Sequence, residues 1–372
     1  MTVVISATGL YIPPETISNS ELVGAFNGFV ARYNEQHAVE IASGALPALK
    51  PSSADFIEQN TGVKSRHVID KAGVLDIDRM RPDLPERPNE DLSAMAEIGV
   101  AAAKDALARA GRSAKEVNAV ICAASNMQRP YPAIAIEIQH ALGVEGFAFD
   151  LNAGSASAAA GVMVAMDFIR GGHARSVLVV SPEICSGHVN WRDRKSHYMY
   201  GDAATAILVE QDRIAPPGAW AILGAKLKTE YSSAIRNNFG FLNASAPEWA
   251  NFPDKKLVHD DRRALKDTAP MIADMILEHI AELQLDPGQI RRLWLQQSNA
   301  NMIRLIAARV LGREASADEC PLVLDTYANT ASTGAIIAFH THAADLSPGD
   351  KGLICAFGAG YASGTLFVAK GA

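Results

Sequence analysis

Ser155 stands where a predicted strand over residues 147–152 passes into a predicted helix that begins at Ala156. A side chain at such a junction lies beside helix N–H groups that have no partner in the helix, and these stabilise an anion or a developing oxyanion. Serine is also a favoured helix N-cap, which requires only an ordinary hydrogen bond to the backbone. The residues around Ser155 do not form the GxSxG motif, which argues against the nucleophile elbow of an α/β-hydrolase. The local pattern therefore leaves a reactive hydroxyl and a simple cap both open.

The segment around Ser155 is repeated in the second half of the chain. Residues 150–157 (DLNAGSAS) are echoed by residues 325–332 (DTYANTAS). At a nearly constant offset, Ser125-Asn126 is echoed by Ser298-Asn299. Self-similarity over half a chain predicts two duplicated halves, with a site in the cleft between them.

The elements that must position these residues alternate between short β-branched runs and long alanine-rich runs. This alternation predicts an α/β fold whose sheets are buried on both faces. The predicted helix over residues 156–169 is apolar nearly all round, which places it in the interior between layers. Strands are predicted over residues 119–123, 147–152, 176–180, 204–209, 293–297, 322–325, 352–357 and 364–368. Helices are predicted over residues 90–110, 133–141, 156–171, 268–283, 302–311 and 331–344.

Breaks in the pattern divide the chain. The proline- and glycine-containing stretch 211–218 predicts an N-terminal half over residues 1–212 and a C-terminal half over residues 213–372. Residues 24–52 have weak periodicity and no repeat partner, so we expect an insertion at the surface or at the mouth of the site. Residues 232–261 are similarly irregular, which is typical of a functional cover.

Composition excludes several classes of protein. A net charge of −7 argues against general affinity for nucleic acid or anionic membranes. No apolar run reaches the roughly 18 residues that span a bilayer, and the N-terminus has no basic region of a signal peptide. The four cysteines lack CxxC spacing and are predicted to be buried thiols; they are Cys122, Cys185, Cys320 and Cys355. We expect a cytoplasmic protein.

A glycine-rich stretch and a pair of histidines are weak evidence for a dinucleotide site and a metal site. The glycine-rich residues 357–364 precede another strand rather than a helix, so a tight turn explains them better than a dinucleotide loop. His340 and His342 are one residue apart in a helical run and point to different faces, so we expect no metal site there.

Several stretches follow one another along the chain in a recognisable order; they include TGVKSR at residues 61–66, FDLNAGS at 149–155, GDAATA at 201–206, LQQSN at 295–299, YANTAS at 327–332 and FGAGY at 357–361. In these stretches, and over nearly its whole length, the chain resembles the β-ketoacyl-ACP synthase III enzymes of the thiolase superfamily. The resemblance implies a thiolase-like duplicated five-layer αβαβα fold. Residues 181–194 look most like the longer bacterial members that accept medium-chain substrates.

The resemblance also implies a catalytic set, from which this chain departs. The family uses a cysteine that takes the acyl group, and a histidine and an asparagine that hydrogen-bond the malonyl thioester oxygen during decarboxylation. Here Ser155, Gln296 and Asn329 stand at those positions. Serine is a poor nucleophile without a base, and a glutamine amide has no useful basicity. The oxyanion-hole positions, the backbone N–H groups of Ser155 and Ala359, need no particular side chain.

Other matched positions concern the substrate. Phe56 corresponds to the aromatic residue that stacks on coenzyme A, and Arg194 is a retained cation, but Asn60 replaces a second cation. Coenzyme A should therefore bind less well than in relatives, and the same pantetheine arm on an acyl carrier protein fits better. No resident cofactor or metal is expected, because the thioester is itself the substrate. Asn299 and Phe357 are assigned to the substrate site on the same resemblance.

Partners are also implied. Tyr131 matches a residue that lines the acyl pocket of the neighbouring subunit, which implies a homodimer. A basic cluster is a candidate docking face for an acidic carrier protein, although an ordinary solvated surface explains it equally well; it comprises Lys255, Lys256, Arg262, Arg263 and Lys266.

These expectations support an acyltransferase of the synthase III type, acting on acyl and malonyl thioesters of carrier protein or coenzyme A in fatty-acid or related acyl-chain biosynthesis. The two replacements put condensing activity in doubt. The alternative is a catalytically silent homologue that serves as a structural or partner subunit of an active paralogue. A third interpretation, that Ser155 is an engineered substitution, is weakened by the second replacement at Gln296.

Overall fold

A computed structural model describes residues 1–237 and 257–372. The strands are β1 Val3–Tyr11, β2 Glu15–Ser18, β3 Ser65–Val68, β4 Ala119–Ala123, β5 Phe147–Leu151, β6 Ser176–Glu183, β7 Ala203–Gln211, β8 Trp220–Lys228, β9 Ile235–Arg236, β10 Val258–His259, β11 Ile290–Leu295, β12 Lys351–Phe357 and β13 Ser363–Lys370. The helices are α1 Asn19–Gln36, α2 Ala38–Ala42, α3 Ala54–Thr61, α4 Lys71–Leu75, α5 Ala94–Ala110, α6 Ile134–Leu142, α7 Ser157–Arg170, α8 Asp261–Glu282, α9 Ala300–Leu311, α10 Leu324–Tyr327 and α11 Gly334–Thr341.

One mixed sheet carries the internal duplication. Its order is β11-β12-β13-β8-β1-β7-β6-β4-β5. In the first half, β4 and β6 are parallel, while β6 and β7, and β7 and β1, are antiparallel. The second half repeats this pattern with β11 and β12, β12 and β13, and β13 and β8. The two halves join where Val4 pairs with Ala221 and Ile5 pairs with Trp220, between β1 and β8.

Alternating side chains divide the core into three clusters separated by the sheet. On β6, Val177 and Val179 pack into a central cluster with α7 and α11, whereas Leu178 and Val180 pack into an outer cluster with α5 and α6. The second half packs a further outer cluster against α8 and α9. This two-residue alternation is that of a sheet buried on both faces. The predicted five-layer αβαβα arrangement is thereby confirmed.

Helix α7 lies in the central layer, as its apolar composition predicts. Ala158, Ala159 and Val162 are fully buried in the central cluster, which contains residues of both halves. At Gly161, an added Cβ would lie 2.6 Å from Val179 Cγ1, so only glycine allows this close approach of helix to strand. The short side chains bring α7 close to the sheet, and this fixes the position of the junction that precedes the helix.

The predictions of secondary structure were wrong at one strand and incomplete in other segments. The strand predicted over residues 322–325 is absent, because the Val323 and Leu324 N–H groups donate to Gln297 Oε1 and the chain then turns into α10. Sequence analysis also missed α1, which extends into residues 24–52 and buries Leu22, Phe26 and Val30 at helical spacing. The interpretation of that segment as an insertion, and the halves 1–212 and 213–372 as domains, stay predictions.

All four cysteines are buried free thiols, as predicted. Among the described residues, no helix combines the length and the apolar character that crossing a bilayer requires.

Candidate active site

Ser155 lies in the turn between β5 and α7, and its side chain is half-buried. The hydrogen bonds that close this turn come from Ser157, whose Oγ accepts from Ala153 N at 2.8 Å and donates to Gly154 O at 2.6 Å. No described residue makes a side-chain hydrogen bond with the Ser155 hydroxyl. The N-cap of α7 is Ala156, which makes no side-chain cap bond, so the capping alternative for Ser155 is wrong and the Ser155 hydroxyl is left to the cavity.

The loop after β12 packs directly against this turn. A Cβ added at Gly358 would lie 2.5 Å from Ser155 Oγ and 2.7 Å from Ser155 Cβ, so a side chain at position 358 displaces the serine. Ala359 follows, and its backbone lies beside Gly154, whose added Cβ would be 3.6 Å from Ala359 N. The geometry brings Ala359 to the Ser155 turn; an oxyanion hole formed by their N–H groups stays a prediction.

Asn329 comes from the matching junction of the second half. Its backbone pairs with that of Tyr200, since Asn329 N donates to Met199 O at 2.9 Å and Gly201 N donates to Asn329 O at 3.1 Å. Its side-chain Oδ1 accepts from Ala331 N at 3.0 Å. Because the amide oxygen is held in this way, the Asn329 Nδ2 group faces the cavity that the residue lines.

Gln296 follows β11 and is fully buried. Its Nε2 donates to Ala331 O at 2.7 Å and to Asn329 Oδ1 at 3.3 Å. Its Oε1 is buried and has no hydrogen-bond partner within the described ranges. Gln296 is not among the residues that line the cavity. The contact that its amide makes with the site is therefore with Asn329, which it helps to orient.

A cavity of about 210 Å³ opens at the junction. It is lined by Phe357 and by residues from both copies of the sequence repeat, which are Ser125, Asn126, Gly154, Ser155, Ser298, Asn329 and Ala331. The cleft between the duplicated halves thus lies where the echo in the sequence predicts it.

Four lining residues with reactive side chains were missed by sequence reasoning: Cys185, His188, Tyr200 and His259. Tyr200 OH lies 2.9 Å from His259 Nδ1. Burial lowers the pKa of His259 to about 4 and raises the pKa of Cys185 well above its usual value. The signal for Tyr200 was its place directly before GDAATA at residues 201–206, which is another stretch that resembles the synthase III enzymes. His259 lies in the irregular segment and had no motif to mark it.

Glu183, at the end of β6, is a fully buried carboxylate beside the site. It accepts from the backbone N–H groups of Ser125 at 2.6 Å and Ser332 at 3.2 Å, and from both serine hydroxyls. Burial raises the pKa of Glu183 to about 7. Ser125 follows β4 in the first half and Ser332 precedes α11 in the second half. The hydrogen bonds of Glu183 therefore link the two halves next to the cavity.

Phe56 and Arg194 lie together but outside the cavity lining. The Arg194 guanidinium carbon is 4.2 Å from the centre of the Phe56 ring, and Arg194 Nε donates to Pro51 O at 2.7 Å. The nearby Asn60 Nδ2 donates to Phe56 O. Phe56 and Arg194, both assigned to coenzyme A binding, are therefore in contact with each other. Binding of coenzyme A to them stays a prediction.

The remaining predicted residues are dispersed. Asn299 is the N-cap of α9: its Oδ1 accepts from Asn301 N and Met302 N, and its Nδ2 donates to Asn60 O at 2.9 Å. Tyr131 is 80% exposed and lines a separate cavity with the exposed Leu84 and Ile136. Of the basic cluster, Lys255 and Lys256 lie outside the described residues, as does the Arg262 side chain.

Comparison with known proteins identifies this arrangement. Residues 149–230 match the family model of 3-oxoacyl-[acyl-carrier-protein] synthase III, and residues 280–370 match the model of its C-terminal part. The structure resembles the 3-oxoacyl-[acyl-carrier-protein] synthase III of Aquifex aeolicus, with a TM-score of 0.77, 21% identity and 99% of each chain covered. That of Pseudomonas aeruginosa gives a TM-score of 0.76 at 21% identity, covering 99% of this chain and 98% of that one.

Relatives found by sequence share a higher identity with this chain than the solved structures do. The chain is 48% identical over 347 residues to the β-ketodecanoyl-[acyl-carrier-protein] synthase of Pseudomonas aeruginosa, covering 93% of this chain and 99% of the relative. It is 30% identical to the β-ketoacyl-[acyl-carrier-protein] synthase III of a Roseiflexus species, covering 86% and 91% of the two chains. The chain therefore belongs to the 3-oxoacyl-[acyl-carrier-protein] synthase III family of the thiolase superfamily.

Proposed function

We propose that this protein is a 3-oxoacyl-ACP synthase of fatty-acid or related acyl-chain biosynthesis in which Ser155 is the acyl acceptor. The observation that carries the proposal is the Ser155 hydroxyl, which faces a cavity at the start of a buried helix and is not used as the helix cap. Asn329 and the loop at Gly358 lie against the same cavity, so the nucleophile position keeps the surroundings that acyl transfer uses.

The chemistry follows from the exchange of thiol for hydroxyl. Ser155 Oγ attacks the acyl thioester carbonyl, the carbon–sulfur bond breaks, and the serine proton leaves with the thiol. The product is an oxygen ester. The enolate carbon left by decarboxylation of a malonyl thioester then attacks the ester carbonyl, the bond from that carbonyl to Ser155 Oγ breaks, and Ser155 Oγ takes up a proton from solvent as the 3-oxoacyl product leaves. Because a serine hydroxyl is scarcely ionised near neutral pH, acylation is slower than in cysteine-containing relatives.

The substrate class is proposed from the relative that shares 48% identity, a β-ketodecanoyl-ACP synthase. We infer a medium-length acyl chain, carried on acyl carrier protein rather than on coenzyme A. The loss of one cation at Asn60 supports this preference, since the nucleotide phosphates then have one fewer partner.

A homodimer completes the proposal. Tyr131, Leu84 and Ile136 expose apolar surface around one cavity, at 80%, 44% and 46% of their area. Such a cluster is typical of a covered surface. A charged substitution, Tyr131→Asp, should shift the protein towards monomer in sedimentation experiments, whereas an unchanged mass would place the dimer interface elsewhere.

Intact-mass spectrometry tests the proposed function. The purified protein is incubated with decanoyl-ACP, decanoyl-CoA and malonyl-ACP in turn. We expect an acyl adduct that is absent from Ser155→Ala, and loss of carbon dioxide from malonyl-ACP. Ser155→Cys should form its adduct faster than the natural protein. No adduct and no carbon dioxide would overturn the proposal.

The second candidate is a catalytically silent partner subunit. The occupied amide of Gln296 favours it, because neither amide nor hydroxyl supplies the base that the family's reaction uses. In that case the natural protein forms no adduct, and the double variant Ser155→Cys with Gln296→His gains condensation. A gene for an intact paralogue beside this one would favour the same candidate.

A further inference from the structure

The cavity lacks one side-chain donor that the family's reaction requires. Two side chains hydrogen-bond the thioester oxygen during decarboxylation, and Asn329 stands at one of their positions. Gln296 stands at the other, but its Nε2 donates to Ala331 O and Asn329 Oδ1, and the residue lies outside the cavity lining. Gln296 is therefore not placed to donate to the substrate, and a second side-chain donor has to lie among the other residues that line the cavity.

Tyr200 is placed to supply it. Its backbone is bridged to that of Asn329 in parallel through Met199 O and Gly201 N. Residues paired across neighbouring extended segments project their side chains to the same side. Both side chains line the cavity that contains Ser155. The Tyr200 ring and the Asn329 amide therefore enter the cavity from adjacent positions.

His259 holds the Tyr200 hydroxyl. Its Nδ1 is 2.9 Å from Tyr200 OH, and its own position is fixed by the pairing of β10 with β9 at Ile235. Burial lowers the pKa of His259 to about 4, with an opposing effect of the neighbouring Asp260, so the imidazole is neutral near neutral pH. A neutral imidazole with its proton on Nδ1 donates to the Tyr200 oxygen, and the Tyr200 O–H then serves as a donor to the substrate.

We propose that Tyr200 is the second hydrogen-bond donor to the thioester oxygen, acting beside Asn329, and that His259 is the residue that positions it. This inference rests on the proposed function. In the step, the bond between the malonyl carboxylate and the α-carbon breaks, carbon dioxide leaves, and the electron pair forms an enolate. The enolate oxygen accepts from Tyr200 and Asn329, and no proton is transferred.

The test separates decarboxylation from acylation. Tyr200→Phe should lower kcat for release of carbon dioxide from malonyl-ACP by roughly 10²-fold, because it removes one donor at the developing oxyanion. Its KM should change little, and the Ser155 adduct from decanoyl-ACP should still form. Tyr11→Phe, which removes a tyrosine hydroxyl outside the cavity lining, is the matched control, and thermal unfolding checks that both variants are folded.

The role of His259 is tested by rescue. His259→Gln keeps an N–H that can donate to the Tyr200 oxygen, whereas His259→Leu keeps only bulk. We expect His259→Gln to retain more decarboxylation than His259→Leu, and we expect neither substitution to lower the rate further in the Tyr200→Phe background. Equal rates for the two single variants would overturn the positioning role.

Failure of this inference is distinct from failure of the proposed function. If the natural protein releases carbon dioxide and Tyr200→Phe does so at the same rate, only the role of Tyr200 is overturned. If the natural protein neither releases carbon dioxide nor forms the Ser155 adduct, the proposed function fails and the Tyr200 assignment fails with it.

Discussion

The two strand-to-helix junctions of the duplicated halves share a sequence pattern but differ in what surrounds them. At the first junction, Ser155 is half-buried and the loop residue Gly358 packs on it without a side chain. At the second, Thr330 and Ser332 are fully buried, and Ser332 is hydrogen-bonded to the carboxylate of Glu183. The first junction opens to the cavity at Ser155, whereas the second is closed at the equivalent Thr330, although the preceding Asn329 lines the same cavity. The two junctions thus have equivalent positions in the chain but different environments. Gly358, after β12, leaves room for the Ser155 side chain, whereas Glu183, at the end of β6, binds the second junction through Ser332.

The largest expected effect on acylation comes from Gly358, the glycine that packs against Ser155. Gly358→Ala places a Cβ within 2.5 Å of Ser155 Oγ and must displace the serine. A misplacement of about 1 Å costs roughly 10²-fold in rate, so acylation of Ser155 should fall by at least that factor. Intact-mass time courses measure it. Gly24→Ala, where an added Cβ meets nothing within 4 Å, should acylate normally. Normal acylation by Gly358→Ala would show that this contact does not set the serine.

Glu183, which is hydrogen-bonded to the second junction, should make the free energy of unfolding depend on pH. The pKa of Glu183 is raised from 4.5 to about 7, so between these values the folded protein binds more protons than the unfolded chain. The contribution of Glu183 to the free energy of unfolding therefore falls as pH rises through this window, by roughly 3 kcal/mol in total, and is constant above it. Glu183→Gln lacks this dependence.

The measurement is denaturant unfolding of the natural protein and of Glu183→Gln at pH 5 and pH 8. The stability of the natural protein relative to the variant should be higher at pH 5. Buried histidines with lowered pKa values, such as His197 and His259, act in the opposite direction, but they are present in both proteins and cancel in the difference. A difference that does not change with pH would mean that Glu183 is ionised throughout.

Sequence analysis located the cavity better than it located the residues that support it. The echo around Ser155 and Asn329 predicted where the cavity lies, because equivalent positions in duplicated halves meet at one interface. The roles of Glu183 and Tyr200 could not be read in this way. Each depends on contacts with residues more than 50 positions away, Ser332 for Glu183 and His259 for Tyr200, and no local pattern encodes such contacts.

The same limit explains the missing strand. The residues that precede α10 have the apolar character of a strand, but Gln297 Oε1 accepts from Val323 N and Leu324 N and takes these groups away from the sheet. A single buried amide thus overrides the local preference. Where the pattern was long, as in α7 and β12, tertiary contacts and local preference agree and the predictions hold.

Gln296 should have an intermediate effect, because it contacts the site through Asn329. Gln296→Met keeps the length of the side chain and removes both Nε2 hydrogen bonds. Loss of one orienting hydrogen bond, about 1.4 kcal/mol, should lower kcat for decarboxylation roughly 10-fold and leave KM unchanged. Steady-state kinetics with malonyl-ACP measure both. A raised KM with an unchanged kcat would instead indicate direct contact between Gln296 and substrate.

The smallest effect is expected at Asn299, the counterpart of Asn126 in the repeat. Asn126 lines the cavity, whereas the Asn299 side chain caps α9 through Asn301 N and Met302 N. Asn299→Ala should therefore lower the free energy of unfolding by about 1 kcal/mol, and Asn299→Asp, which keeps a capping oxygen, should lower it less. Neither should change KM for acyl-ACP, because capping and not substrate contact occupies the side chain. Denaturant titration and kinetics on the two variants separate the roles: a raised KM in a stable Asn299→Asp would restore the substrate role that the resemblance implied, and would make the two copies of the Ser-Asn pair functionally alike.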